Sequence, residues 1–96
     1  MAESDPRIAL NHTIVWCRDQ RRSADFLTEV LGLPPARRFL HFLVVELGNG
    51  VSLDYYEVET SEGPIAGQHY AFLVGDAAFD GILERVRARA PGPEER

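Results

Sequence analysis

His12-Thr-Ile-Val-Trp-Cys-Arg-Asp19 and His69-Tyr-Ala-Phe-Leu-Val-Gly-Asp76 carry the same pattern twice. Each opens on a histidine, runs through a short apolar stretch, reaches an aspartate seven residues later and passes into a helical pattern. Self-similarity at a fixed offset marks duplicated supersecondary units. Duplication puts two histidines at matching places, and paired histidines are a common start for a metal site. The second copy stops after its helix.

Working outward, residues 8–17 are β-branched and aromatic and read as a strand. Alternation puts His12, Leu10, Ile14 and Trp16 on one face and Asn11, Thr13 and Val15 on the other. Asp19 or Ser23 then caps a helix that ends at Leu31, with Gly32 as the stop and Pro34-Pro35 beyond. Ala24, Leu27, Val30 and Leu31 form its apolar stripe, widened by Phe26. Residues 37–47 are mostly extended and apolar enough for burial on both faces. Gly48-Asn49-Gly50 signals a hairpin into a strand over residues 51–58. That strand sorts Val51, Leu53 and Tyr55 from Ser52, Asp54 and Tyr56. The first set belongs under a helix, the second toward water or a ligand. Residues 69–74 are a fifth extended segment, and Asp76 caps a second helix with the stripe Phe79, Ile82, Leu83 and Val86. Arg85, Arg87 and Arg89 suit its negative pole, and Pro91-Gly92-Pro93 ends it. The order is β-α-β-β-β followed by β-α, an α+β arrangement with helices on one face of a mixed sheet.

The chain divides accordingly: 1–7 a disordered tail, 8–58 a first βαβββ module, 59–68 a linker, 69–90 a partial second module and 91–96 a closing tail. Ninety-six residues with 45% hydrophobic and 9% aromatic content suit one small globular domain and argue against general disorder. A net charge of -5 gives no basic footprint for nucleic acid or anionic membrane. The single cysteine, Cys17, has no internal disulfide partner. It reads as a small buried residue, since a nucleophile needs an electropositive setting and Arg18 points to the other face. No apolar signal core or membrane-length run is present, so a cytoplasmic location is expected.

The stretches Leu10-Asn-His-Thr-Ile-Val15, Ser23-Ala-Asp-Phe-Leu-Thr-Glu-Val-Leu-Gly-Leu33, Val44-Val-Glu-Leu-Gly-Asn-Gly50 with Val51-Ser-Leu-Asp-Tyr55, and Gln68-His-Tyr-Ala-Phe-Leu-Val74 resemble, in order and spacing, the vicinal oxygen chelate superfamily. Its members include glyoxalase I, fosfomycin and bleomycin resistance proteins and extradiol dioxygenases. The resemblance implies a glyoxalase-like fold of paired βαβββ modules that form a cup around a divalent metal. A histidine from the first strand of each module is a common ligand there, matching His12 and His69. Some members add a ligand from the last strand of the first module, and Asp54 stands nearest that place. The family's glutamate from the last strand of the second module has no counterpart in this sequence.

Two histidines and a carboxylate suit Zn, Fe, Ni or Mn and leave positions open for a chelating substrate. Two functions follow. One is a metal-dependent lyase, isomerase or dioxygenase acting on a small molecule with adjacent oxygens. The other is metal-free sequestration of a small ligand, as in bleomycin resistance. In either, Trp16 and Tyr56 are the candidate substrate-binding residues; the plain alternative is hydrophobic filling. A lone strand histidine is more often structural, and only the repeat gives His12 and His69 equal standing as ligands. His41 has no counterpart and reads as a surface residue, Glu57 as solvated, Asp19 and Asp76 as caps. A partial second module leaves a sheet edge and a helix face to cover. A homodimer, a second polypeptide or a longer parent protein would each do so.

Overall fold

The computed structural model describes residues 7–89; the tail residues 1–6, Ala90 and the expected closing tail 91–96, with its Pro-Gly-Pro stop, lie outside them. The elements are β1 (His12–Cys17), α1 (Gln20–Leu31), β2 (Arg37–Phe39), β3 (Phe42–Glu46), β4 (Ser52–Glu57) and α2 (Asp76–Arg89), with a single 3-10 turn at Thr60–Glu62. The four strands form one sheet in the order β1-β4-β3-β2. β1 and β4 are parallel, and the other pairs are antiparallel. Parallel pairing needs a long crossover, which α1 and the β2–β3 hairpin supply. The α+β reading of the first unit therefore holds.

Asp19 begins α1: its Oδ1 accepts from the Arg22 N–H at 3.0 Å, satisfying one of the orphan donors of the first turn. Gly32 ends it in the left-handed conformation at φ 71°, and the Gly32 N–H donates to the Thr28 carbonyl. The buried side of α1 includes Gln20, Ala24, Thr28 and Val30. Two of these are polar, whereas the expected Phe26 is 42% exposed. Gln20 earns its buried place by bonding. Its Nε2 donates to the Tyr55 carbonyl at 2.9 Å and the His41 carbonyl at 3.1 Å, and its Oε1 accepts from Arg38. The amide thus ties the start of α1 to β4 and to the β2–β3 turn.

Residues 37–47 split into two strands around Leu40, which takes φ 53°. Leu43, Val44 and Val45 are consecutive and all buried, matching burial on both faces; Arg37–Phe39 is exposed throughout. The Gly48-Asn49-Gly50 hairpin forms, with Gly50 at φ 80° and the Leu47 N–H donating to the Val51 carbonyl at 2.9 Å. Val15, Cys17, Ala24, Leu43, Val45, Leu53 and Tyr55 make the core between sheet and α1. Full burial of Leu43 and Val45 stabilises by about 1.5–3 kcal/mol each.

The second copy behaves differently. The segment 69–74 carries no strand ladder. It approaches β1 through side chains instead of backbone pairing. α2 starts at Asp76, and the Gly75 carbonyl receives the N–H groups of Ala78 and Phe79. Gly75 therefore occupies the cap position expected for Asp76, whose carboxylate sits in the first turn at the positive pole. None of the described α2 residues is buried, and Phe79 is 53% exposed. α2 lies beside α1: Arg85 Nε donates to the Val30 carbonyl at 2.8 Å, and Arg89 pairs with Glu29 at 3.3 Å. Arg85 thus serves the carbonyl end of α1.

Candidate functional site

Strand alternation and register decide which residues meet. His12, Ile14 and Trp16 of β1 stand opposite Ser52, Asp54 and Tyr56 of β4. Those in turn stand opposite Glu46, Val44 and Phe42 of β3. The whole set lies on the sheet face away from α1, because Thr13, Val15, Leu53 and Tyr55 take the other face. Tyr55 is buried under α1 as expected.

At one end of this face is a polar group. His12 Nδ1 lies 2.7 Å from Asn11 Oδ1. An amide oxygen only accepts, so Nδ1 is the donor of this pair, which leaves Nε2 as the ring nitrogen not engaged with Asn11. Asp54 is one register step along; its Oδ1 accepts from the Ser52 hydroxyl at 2.8 Å, and Oδ2 has no hydrogen-bond partner among the described residues. An imidazole whose second nitrogen is tied to an acceptor, next to a hydrogen-bonded carboxylate, is a suitable donor pair for a borderline divalent cation. At the other end the Trp16 and Tyr56 rings meet edge-to-face, 5.4 Å apart and 82° between planes. Phe42 adds a tilted contact to Tyr56 at 5.9 Å. Trp16 remains 45% exposed, so its indole is available to a ligand.

His69 does not join His12 and Asp54. It lines a cavity of about 450 Å³ with Leu10, Thr13, Leu53 and Phe72. Thr13 and Leu53 belong to the helix side of the sheet. Among the described residues no three His, Cys, Asp or Glu side chains gather as a metal set. Two of the three expected donors therefore share a face, and the third stands apart. His41 is exposed in the β2–β3 turn. Glu57 is exposed too, but its Oε1 also accepts from the Gln20 N–H at 3.1 Å. Cys17 is buried, donates its thiol to the Tyr56 carbonyl at 3.4 Å, and has its pKa pushed up, chiefly by burial. It is a core residue.

Two contributors had no sequence signal. Gln68 donates from Nε2 to the Trp16 carbonyl at 2.9 Å, and its Oε1 accepts from the Trp16 N–H at 3.0 Å. The Tyr70 hydroxyl lies 3.0 Å from the Ile14 carbonyl. Contacts this distant in sequence are invisible to local pattern.

A family model described as Glyoxalase/Bleomycin resistance protein/Dioxygenase superfamily matches residues 9–90. The chain belongs to that superfamily. Among solved structures it is similar to Oxidase ChaP-H1, at 48% identity and a TM-score of 0.80 over 86% of this chain. Oxidase ChaP-H2 is similar at 46% identity and a TM-score of 0.79 over 85%. The chain spans 64% and 62% of those two proteins. A protein from Agrobacterium tumefaciens solved by NMR shares the fold at 22% identity and a TM-score of 0.60, over 84% of this chain and 70% of its own. No curated protein is significantly similar. Among the described residues no helix is long and apolar enough to cross a membrane.

Proposed function

We propose that this protein is an oxidase of the dioxygenase type within the superfamily, acting on a small molecule that presents adjacent oxygens. The observation that carries it is the 48% identity to Oxidase ChaP-H1 across nearly the whole described chain. The sheet face supports it. His12 and Asp54 are the donors from the first unit to a divalent cation of the Zn, Fe, Ni or Mn class, with His69 as the candidate third. A cation so held supplies Lewis acidity toward chelating oxygens. Asn11 bonds His12 Nδ1, Ser52 orients Asp54, and Trp16 with Tyr56 offers a ring edge and face against which a flat substrate stacks. Completion of the donor set requires movement of the segment bearing His69 or a residue from outside the described chain. A homodimer is the proposed assembly, motivated by the exposed Leu73 and Phe79, and light scattering at two protein concentrations tests it.

The test is metal content after purification without added metal, for wild type, His12→Ala, Asp54→Ala and His69→Ala. Stoichiometric metal in wild type, lost in the first two variants, supports the site; the third shows whether His69 belongs. Metal-free wild type with unchanged variant stability on adding Fe(II), Mn(II) or Zn(II) would sink it. The exposed Trp16–Tyr56–Phe42 cluster would then favour the second reading, metal-free sequestration of an aromatic ligand.

A further inference from the structure

Within a strand, one residue's N–H and C=O point to the same side, and successive residues alternate. β1 turns its odd-numbered residues toward β4: the Asn11 carbonyl accepts from the Ser52 N–H, and the Cys17 carbonyl from the Val58 N–H. His12, Ile14 and Trp16 therefore direct their backbone groups to the outer edge of the sheet. They are also the residues whose side chains face the candidate site. A bare edge leaves such groups to water or to another strand.

Here the edge is met by side chains from one segment. The Gln68 amide presents a donor and an acceptor side by side, as a peptide unit does, and engages both backbone groups of Trp16, at 3.0 and 2.9 Å. The Tyr70 hydroxyl lies 3.0 Å from both the Ile14 carbonyl and Gln68 Oε1, and its one proton serves either. Gln68 thus stands in for a neighbouring strand at the residue that carries the exposed indole. Fixing the Trp16 peptide restrains its Cα–Cβ direction, and with it the angle between indole and Tyr56 ring.

We propose that Gln68 is a positioning residue: its amide sets the orientation of Trp16, so that the segment following β4 controls how tightly the aromatic face holds a flat ligand. This rests on the assignment of Trp16 and Tyr56 as ligand-lining residues. No contact between Gln68 and the ligand is required.

Trp16 is the sole tryptophan, so its emission reports on its own position. Gln68→Met removes donor and acceptor together. Gln68→Glu keeps the acceptor at neutral pH but presents a second anionic oxygen to the Trp16 carbonyl.

At pH 7 both variants should show red-shifted emission and about twofold greater acrylamide quenching, because a released indole gains solvent contact. Wild-type emission at pH 7 in both variants overturns the positioning role. Affinity is read with naphthalene-2,3-diol, a flat probe with adjacent oxygens, through quenching of Trp16. Gln68→Met should bind it about five- to tenfold more weakly, the equivalent of one lost restraining hydrogen bond. Equal binding by wild type and Gln68→Met refutes the role of Gln68 alone. No binding by either refutes the aromatic-face assignment as well.

Discussion

Replacing Gln20 by methionine tests whether one buried amide joins the three parts of the first unit. The substitution keeps length and helix propensity and removes all side-chain hydrogen bonding. Gln20 is 9% exposed, and its Nε2 serves the carbonyls of Tyr55 and His41 while Oε1 receives Arg38. The Tyr55 bond is buried, so that carbonyl loses its donor with no water to replace it, at about 1–3 kcal/mol. The His41 carbonyl is only partly covered and loses the net worth of an ordinary bond, about 0.5–1.5 kcal/mol. Arg38 is exposed and returns to water, so it adds little. The expected cost is about 2–4 kcal/mol, and at about 4–8 °C per kcal/mol for a domain of this size the melting temperature should fall by about 8–32 °C. Urea unfolding followed by far-UV circular dichroism measures it. Gln20→Glu keeps the acceptor for Arg38 and should be destabilised to a similar degree, since both lost bonds need the donor. A cost below about 0.5 kcal/mol for Gln20→Met would refute the idea that this side chain organises the turn and β4.

Three further outcomes are expected. Burial, then the nearby Cys17 and Tyr70, pushes the Tyr55 pKa up to about 12 from 10.0. Its stabilising effect is complete below pH 10 and is lost between 10 and about 12, where the unfolded chain ionises first; urea unfolding at pH 9 and 11.5 should show about 2 kcal/mol less stability from this group at the higher pH, absent in Tyr55→Phe. Leu40 sits at φ 53° and is 72% exposed, so Leu40→Gly relieves left-handed strain while giving up little burial. Thermal unfolding should show about 0.5–1 kcal/mol of stabilisation after the added unfolded-state entropy is counted, and a destabilised variant would contradict it. Cys17, 7% exposed and with its pKa raised chiefly by burial, should react with an aromatic disulfide reagent only after denaturant is added. Rapid labelling of the native protein would show the β1 end to be open.

The first unit was legible because its signals are local. The Asp19 cap, the Gly32 stop and the Gly48-Asn49-Gly50 turn each act within a few residues, and the Ser52/Asp54/Tyr56 alternation needs only a strand to become a face. Gln20 and Thr28 escaped apolar patterning because their burial depends on bonding, and Gln20's partners lie in β4 and the β2–β3 turn, distant in sequence. Phe26 failed in the opposite sense: it continues the stripe along the helix, yet stays 42% exposed. At the site, alternation put Asp54 on the polar face of its strand and the family resemblance linked it to His12; that they share one sheet face is visible only in the β1–β4 register. Asn11 and Ser52 could not be foreseen as their partners, since rotamers decide those bonds.

The two copies of the histidine motif show what a repeat can and cannot transmit. It transmits an extended run, a turn and a helix, all of which are properties of short segments. It does not transmit the face on which a histidine sits, because a face exists only once a strand has a paired neighbour. For the first copy that neighbour is β4, whose register puts Asp54 two residues from the partner of His12. For the second copy no described strand plays the part. Gln68 and Tyr70 reach β1 by their side chains, and His69 between them lines a cavity on the other side. Equal sequence positions therefore give unequal chemistry. His12 bonds Asn11 through Nδ1 and shares its sheet face with Asp54, whereas His69 stands in a segment without a paired neighbour. Pairing of residues 69–74 with β1 would have to displace the Gln68 amide from the Trp16 peptide, since both compete for the same N–H and C=O. Under the proposed function, recruitment of His69 by that route would therefore release the aromatic face in the same step. A metal-dependent change in Trp16 emission, abolished in His69→Ala, is its expected sign.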